Sequence, residues 1–158
     1  MRVYGDSSFI LRLITGEAES PGTIALYRSL GRPSLPFLPL HRLEVCNAVL
    51  TRAFYQRRSV SSGDRRHVAR ERDAALSRLD RLLARRALLD VTTDMEAVMV
   101  EASKLSRAHS ERLGSRAIDL LHVAAAISLK CELFLTGDDR QARLAQAEGL
   151  EVVSAPGG

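Results

Sequence analysis

The sequence predicts an α/β protein: a parallel sheet with helices on both faces. Two observations carry that expectation. Short apolar runs with strand character (Arg2–Asp6, Leu88–Thr92, Cys131–Thr136 and Leu150–Ser154) are separated by longer segments of helical period. Strands separated by helices pair in parallel, because a crossover helix returns the chain to the same end of the sheet. In such folds ligands bind outside the carboxyl ends of the strands, which makes the residues just after each strand the first place to look for chemistry.

Each element has its own warrant. After the opening strand, Ser7 or Ser8 is placed to cap a helix reaching about Thr15, with Gly16 ending it. Pro21 suits the first turn of a second helix to about Leu30, followed by the turn Gly31-Arg32-Pro33. Leu35 to Leu40 contains Pro36 and Pro39, so it is expected as an edge strand or an extended connection. His41 to Tyr55 is helical, with Leu43, Cys46, Val49, Leu50 and Phe54 as its apolar stripe. Ser61 or Ser62 is expected to cap a longer helix through about Arg86, striped by Leu76, Leu79, Leu82 and Leu83. Asp94 to Leu113 forms the next helix, stopped by Gly114, and Ser115 is placed to cap another through Leu129. Asp138 to Glu148 is the last helix.

Composition narrows the function classes. The 158 residues, 46% hydrophobic and 27% charged, suit one globular domain spanning 1–158. No apolar run approaches membrane-spanning length and no signal peptide is evident, so a cytoplasmic protein without membrane contact is expected. Aromatics are only 4% and Trp is absent, so stacking platforms for single-stranded nucleic acid are thin. Cys46 and Cys131 form no C-x-x-C and are expected as free thiols. The four histidines lack zinc-finger or metalloprotease spacing. His122, three residues after Asp119, is expected in a core or supporting role rather than as a ligand. Between Arg52 and Arg86 arginines exceed acids by seven, so with a net charge of +4 the rest of the chain carries −3. That imbalance suggests an anionic partner, although a solvated helix laced with ion pairs would look similar.

The acids hold the chemistry. Asp6 follows the first strand, and Asp138 and Asp139 follow the strand in "CELFLTG". Glu44 opens the helix of "HRLEVCNAVL" and Asp119 that of "RAIDLLHVAAAISL". Taken singly, each has an ordinary explanation, since the helix dipole favours acids in a first turn by about 0.3–1 kcal/mol. Glu44 and Asp119 are harder to explain so, because their neighbours are apolar and no Lys or Arg lies one turn C-terminal to either. A hard divalent cation bound by oxygen ligands would supply the missing charge, and clustered acids without thiolate or paired imidazole ligands favour Mg²⁺ or Mn²⁺ over zinc.

These segments, "VYGDSSFILRLI", "LHRLEVCNAVL", "RAIDLLHVAAAISLKCELFLTGDDRQARLA" and "GLEVV", resemble a PIN domain, most closely the VapC-type ribonuclease toxins of bacterial toxin–antitoxin pairs. The likeness covers essentially the whole chain. D-x-S or T-x-D alone is a weak signal; the run from Asp119 to Thr136-Gly137-Asp138 is much more specific. The resemblance implies a three-layer α/β/α sandwich with a central, mostly parallel sheet. It also implies metal-dependent cleavage of RNA phosphodiester bonds, homodimerisation and a cognate antitoxin. Residue by residue, Asp6, Glu44, Asp119 and Asp138 match the acidic quartet that binds Mg²⁺ or Mn²⁺ in that family, with Asp6 and Asp119 the first choices as direct ligands. Ser8 and Thr136 match its supporting hydroxyls. Asp139 is not required by the pattern. Gly5 departs from it, because an apolar residue is more usual there; close packing would account for the change.

Three other classes compete. A haloacid-dehalogenase-like phosphohydrolase needs D-x-D at its first site, whereas the second position here is Ser8. A response-regulator receiver needs a phosphoacceptor Asp at the end of a middle strand, and "LLDVTT" places Asp90 before or within its strand. A non-catalytic basic module for RNA or a protein partner would use the same acids only as caps.

Overall fold

The structure, a computed structural model, describes residues 1–155. In chain order these form β1 (Val3–Gly5), α1 (Ser7–Ile14), α2 (Ser20–Ser29), β2 (Leu35–Phe37), α3 (Pro39–Ser59) and α4 (Arg65–Ala84). They continue as β3 (Leu88–Asp90), α5 (Met95–Leu113), α6 (Ala117–Ser128), β4 (Leu133–Thr136), α7 (Asp139–Ala147) and β5 (Glu151–Ser154). Strands pair in parallel throughout, in the order β1-β4-β5 with a separate β2-β3 pair.

Successive residues of a strand point to opposite faces of its sheet, and here they enter two different cores. Val3, Leu133 and Leu135 join an apolar cluster with Phe9, Ile14, Val45 and Leu79, from α1, α3 and α4. Tyr4 and Phe134 turn to the other side and pack with Val98, Leu105, Val123 and Leu144, from α5, α6 and α7. Helices thus cover both faces, giving the α/β/α sandwich of the expectation.

The parallel register decides where the site lies. Gly5 pairs with Leu135, and the Asp6 N–H donates to the Leu135 carbonyl at 3.0 Å. Asp6 and Thr136 therefore leave the sheet side by side at its carboxyl edge. Gly5 is needed for packing: a Cβ there would lie 3.0 Å from Leu35 Cδ1 and 3.2 Å from Phe9 Cδ1.

Several local expectations need correction. Asp6, not Ser7 or Ser8, caps α1, because its carboxylate accepts the Phe9 N–H. Asp64 rather than Ser61 or Ser62 precedes α4, and Ser61 Oγ donates to the Asp64 carboxylate. Arg116 rather than Ser115 precedes α6, leaving Ser115 Oγ buried and without a partner. Helix α3 starts at Pro39 and runs to Ser59, and its buried face is His41, Val45, Val49 and Ala53. Of the expected stripe, Leu43, Leu50 and Phe54 are exposed. Small and β-branched side chains let α3 lie close against α1 and α4, and the bulkier stripe turns outward. Asp90 ends β3 at the surface, paired with Arg42 at 2.6 Å. No helix among the described residues is long and apolar enough to cross a membrane.

Candidate active site

Asp6 is fully buried at the end of β1. Its Oδ1 accepts from the Phe9 N–H at 2.8 Å and from Ser8 Oγ at 2.7 Å; its Oδ2 accepts from Thr136 Oγ1 at 2.5 Å. Burial raises its pKa above the ordinary Asp value, only partly offset by His122 and by these hydrogen bonds. Among the described residues no Lys or Arg forms an ion pair with it, since the arginine pairs engage Glu17, Asp73, Asp90 and Asp138.

The hydroxyls extend this site to Asp138. Thr136 Oγ1 accepts the Asp138 N–H at 2.9 Å while donating to Asp6, and Ser8 Oγ accepts the Gly137 N–H at 2.8 Å. Asp138 caps α7, taking the Arg140 N–H at 2.7 Å, and Arg140 reaches its other oxygen at 3.6 Å. Asp139 is exposed one residue on and takes no part. The Arg12 side chain lies flat over Gly137, within 3.2 Å of its carbonyl; a Cβ at Gly137 would meet Arg12 Cζ at 2.5 Å.

Glu44 enters from the first turns of α3. Its Oε2 accepts from Ser7 Oγ at 2.7 Å and faces His122 Nε2 at 2.5 Å. His122 is itself fully buried, and its Nδ1 lies 2.9 Å from the Tyr4 hydroxyl. The Nε2 proton is directed at the carboxylate, and Nδ1 shares a hydrogen bond with the Tyr4 hydroxyl. Burial alone would raise the Glu44 pKa, but the hydrogen bond and charge of His122, with Ser7, outweigh it and hold Glu44 below its usual value. Burial followed by the Asp6 charge pushes the Tyr4 phenol well above its ordinary value, keeping it a neutral donor.

His41 fixes the start of α3. Its Nδ1 accepts the Leu38 N–H at 3.0 Å, so its proton resides on Nε2 and donates to the Gly5 carbonyl at 3.0 Å. Burial, then the neighbouring His122, lower its pKa to about 3.

Asp119, 3% exposed, accepts the Arg116 N–H at 2.9 Å and stands one turn before His122 on α6. The hydrogen-bonded web therefore joins Asp6 to the Asp138 N–H through Thr136 and to the Gly137 N–H through Ser8, and Glu44 to His122 through Oε2 and Ser7. It reaches Asp119 only through the helix that Asp119 shares with His122. Among the described residues no three His, Cys, Asp or Glu side chains stand close enough together to hold a metal ion. The chemistry of the donors nevertheless suits a hard divalent cation. They are carboxylate oxygens, and Asp6 is a buried carboxylate with no Lys or Arg ion pair among the described residues.

Tyr4, Ser7 and His41 are the participants that sequence reasoning missed. For His41 a signal existed, because it lies one helical turn before Glu44. For Tyr4 there was none, because it meets His122 across 118 residues of chain.

No curated protein matches the chain. The family model for the PIN domain matches residues 3–147, from the start of β1 to the end of α7, and so includes all four acids together with Ser8 and Thr136. PIN domains are typically metal-dependent nucleases, and a match over that much of the sequence places this chain in the PIN-domain family.

Proposed function

We propose that the chain is a ribonuclease that hydrolyses RNA phosphodiester bonds with Mg²⁺ or Mn²⁺, acting in the cytoplasm as the toxin of a toxin–antitoxin pair. The observation that carries this reading is Asp6. It is a fully buried carboxylate at the carboxyl edge of the sheet, without a Lys or Arg ion pair among the described residues, and tied through Thr136 to the Asp138 N–H.

In this reading Asp6 and Asp119 hold the cation directly, with Asp138 and Glu44 completing the set. Bound there, a divalent cation supplies Lewis-acid stabilisation of the charge that develops on the phosphate. The chain's own residues do the rest. Ser8 and Thr136 lock both oxygens of Asp6, so that the carboxylate does not swing away on its χ angles. Glu44, kept ionised by His122 and Ser7, is available to orient or deprotonate the attacking water. A homodimer and a cognate antitoxin belong to the same reading. Exposed Leu43 and Leu50 on α3, and Met95 and Met99 on α5, are apolar surface for a protein partner to cover.

The test is to incubate the purified protein, freed of any partner, with total RNA and Mg²⁺ and to map the cut ends. EDTA is expected to abolish cleavage, and Asp6→Asn and Asp119→Asn each to slow it at least tenfold in folded protein. Undiminished cleavage in EDTA would overturn the metal mechanism. Expression is expected to arrest growth, and Asp6→Asn to relieve the arrest; equal arrest by both forms would overturn the toxin role.

A further inference from the structure

Of the four Phe and three Tyr in the chain, five are buried in the two cores. The two that are not are neighbours on α3: Phe54, 47% exposed, and Tyr55, 65% exposed. Their rings meet edge to face with centroids 5.3 Å apart, and the Arg58 guanidinium lies 5.4 Å from the Phe54 centroid. Phe54, Arg57, Arg58 and Arg65 together line a shallow recess where α3 turns into α4. The arginine ion pairs among the described residues use Arg42, Arg52, Arg72 and Arg140, so Arg57, Arg58 and Arg65 have no carboxylate partner.

The helix connects this corner to the acids. Glu44, Ala48, Thr51, Tyr55 and Arg58 follow one another at steps of four, three, four and three, which places them on one face of α3. Thr51, Tyr55 and Arg58 are exposed along that face. Eleven positions separate Glu44 from Tyr55, about 16 Å along the axis at about 1.5 Å each.

We propose that the Phe54–Tyr55–Arg58 corner is a binding surface for single-stranded RNA, holding the strand a few nucleotides away from the acidic site. The proposal rests on the ribonuclease reading and adds to it a contact surface about 16 Å along α3 from Glu44. Exposed aromatic faces bind unpaired bases, because every base has a π-face to stack. Guanidinium groups free of carboxylates match phosphate oxygens with paired donors and also stack on bases. Double-stranded RNA keeps its bases inside the helix and offers Tyr55 nothing to stack on. The general scarcity of aromatics is thus compensated by where the two exposed ones stand.

The experiment measures binding, without cleavage, in EDTA. The probe is a mixed-sequence, single-stranded 2′-O-methyl oligonucleotide of roughly 12 nucleotides, a length such surfaces span. The chain has no Trp, so Tyr55→Trp introduces a unique fluorophore, and its emission is expected to be quenched when the oligonucleotide binds. Tyr55→Ala is expected to weaken binding roughly fivefold to a hundredfold, the range for loss of one stacked base. Arg58→Gln is expected to lower the slope of log K against log salt by about 0.7, the value for one phosphate contact on a single strand. Both side chains are exposed, so these variants are expected to keep the fold, which circular dichroism is to check. Wild-type affinity in Tyr55→Ala and Arg58→Gln overturns the proposal, as does failure of the wild type to bind. Loss of self-association in Tyr55→Ala, with RNA affinity unchanged, overturns it by assigning the corner to a second copy of the chain. The nuclease reading is tested separately by Mg²⁺-dependent cleavage in the wild type, so the two can fail independently.

Discussion

Lowering the pH from 7 to 5 should weaken this protein through His41, and the size of the effect follows from its surroundings. The ring is fully buried between Phe37 and Tyr4, accepts the Leu38 N–H and donates to the Gly5 carbonyl. No acceptor is left for a second proton, and its pKa falls from 6.5 to about 3. A histidine whose folded pKa is depressed contributes stability that is present above the unfolded value of 6.5 and is lost as the pH falls from there towards about 3. Between pH 7 and pH 5 linkage makes that loss about 2 kcal/mol. For a chain of this size it corresponds to roughly 4–8 °C in melting temperature. The assay is urea unfolding followed by circular dichroism at pH 7, 6 and 5, for wild type and for His41→Asn. The variant cannot titrate there and is expected to be less stable at pH 7. The gap between the two should then shrink by about 2 kcal/mol at pH 5. Contributions from Asp6, Glu44 and the other histidines are common to both proteins and cancel in the difference. A gap that does not change with pH would refute the reasoning. Because Glu44 lies one turn along α3, the same protonation should loosen the acidic site before the protein unfolds.

Three further outcomes follow from particular contacts. Asp6→Asn should raise the melting temperature of the metal-free protein at pH 7. Its folded pKa is raised above 3.8, so the ionised form costs stability, and the advantage of the variant should fade as the pH falls from the raised folded value towards 3.8 and be gone below it. Gly5→Ala should cost about 1–3 kcal/mol in denaturant unfolding, because the added Cβ would lie 3.0 Å from Leu35 Cδ1 inside a filled core. Leu50→Gln should be nearly neutral in the same measurement, whereas Val49→Gln, at a position 5% exposed, should lose roughly 2 kcal/mol or more by burying an amide without a partner.

The amino-acid sequence by itself determined the alternation of strand and helix, and with it the parallel sheet. Periods of 2 and 3.6 are local properties of side-chain order, and they survive without knowledge of neighbours. It also determined that Asp6 and Asp138 follow strands, and the segments around the acids, above all the run from Asp119 to Asp138, carried the resemblance to the family. Helix rotation and helix starts were decided by the tertiary structure. On α3 two stripes sharing Val49 were available, Leu43-Cys46-Val49-Leu50-Phe54 and Val45-Val49-Ala53, and apolarity alone favoured the first. The second is buried because α3 must approach α1 and α4 closely, and only the smaller side chains permit that approach. Acids stand where cap serines were expected at α1 and α4, whereas Arg116 precedes α6. At α1 the burial of Asp6 between Ser8 and Thr136 aims its carboxylate at Phe9 N–H, which no reading of residues 6 to 9 alone can show. The link from Tyr4 through His122 to Glu44 was likewise out of reach, because it joins side chains from β1, α6 and α3 that meet only when both cores have closed on the sheet. A hydrogen bond needs its partners within about 3 Å, and chain order does not encode such distances between elements far apart in sequence; packing sets them.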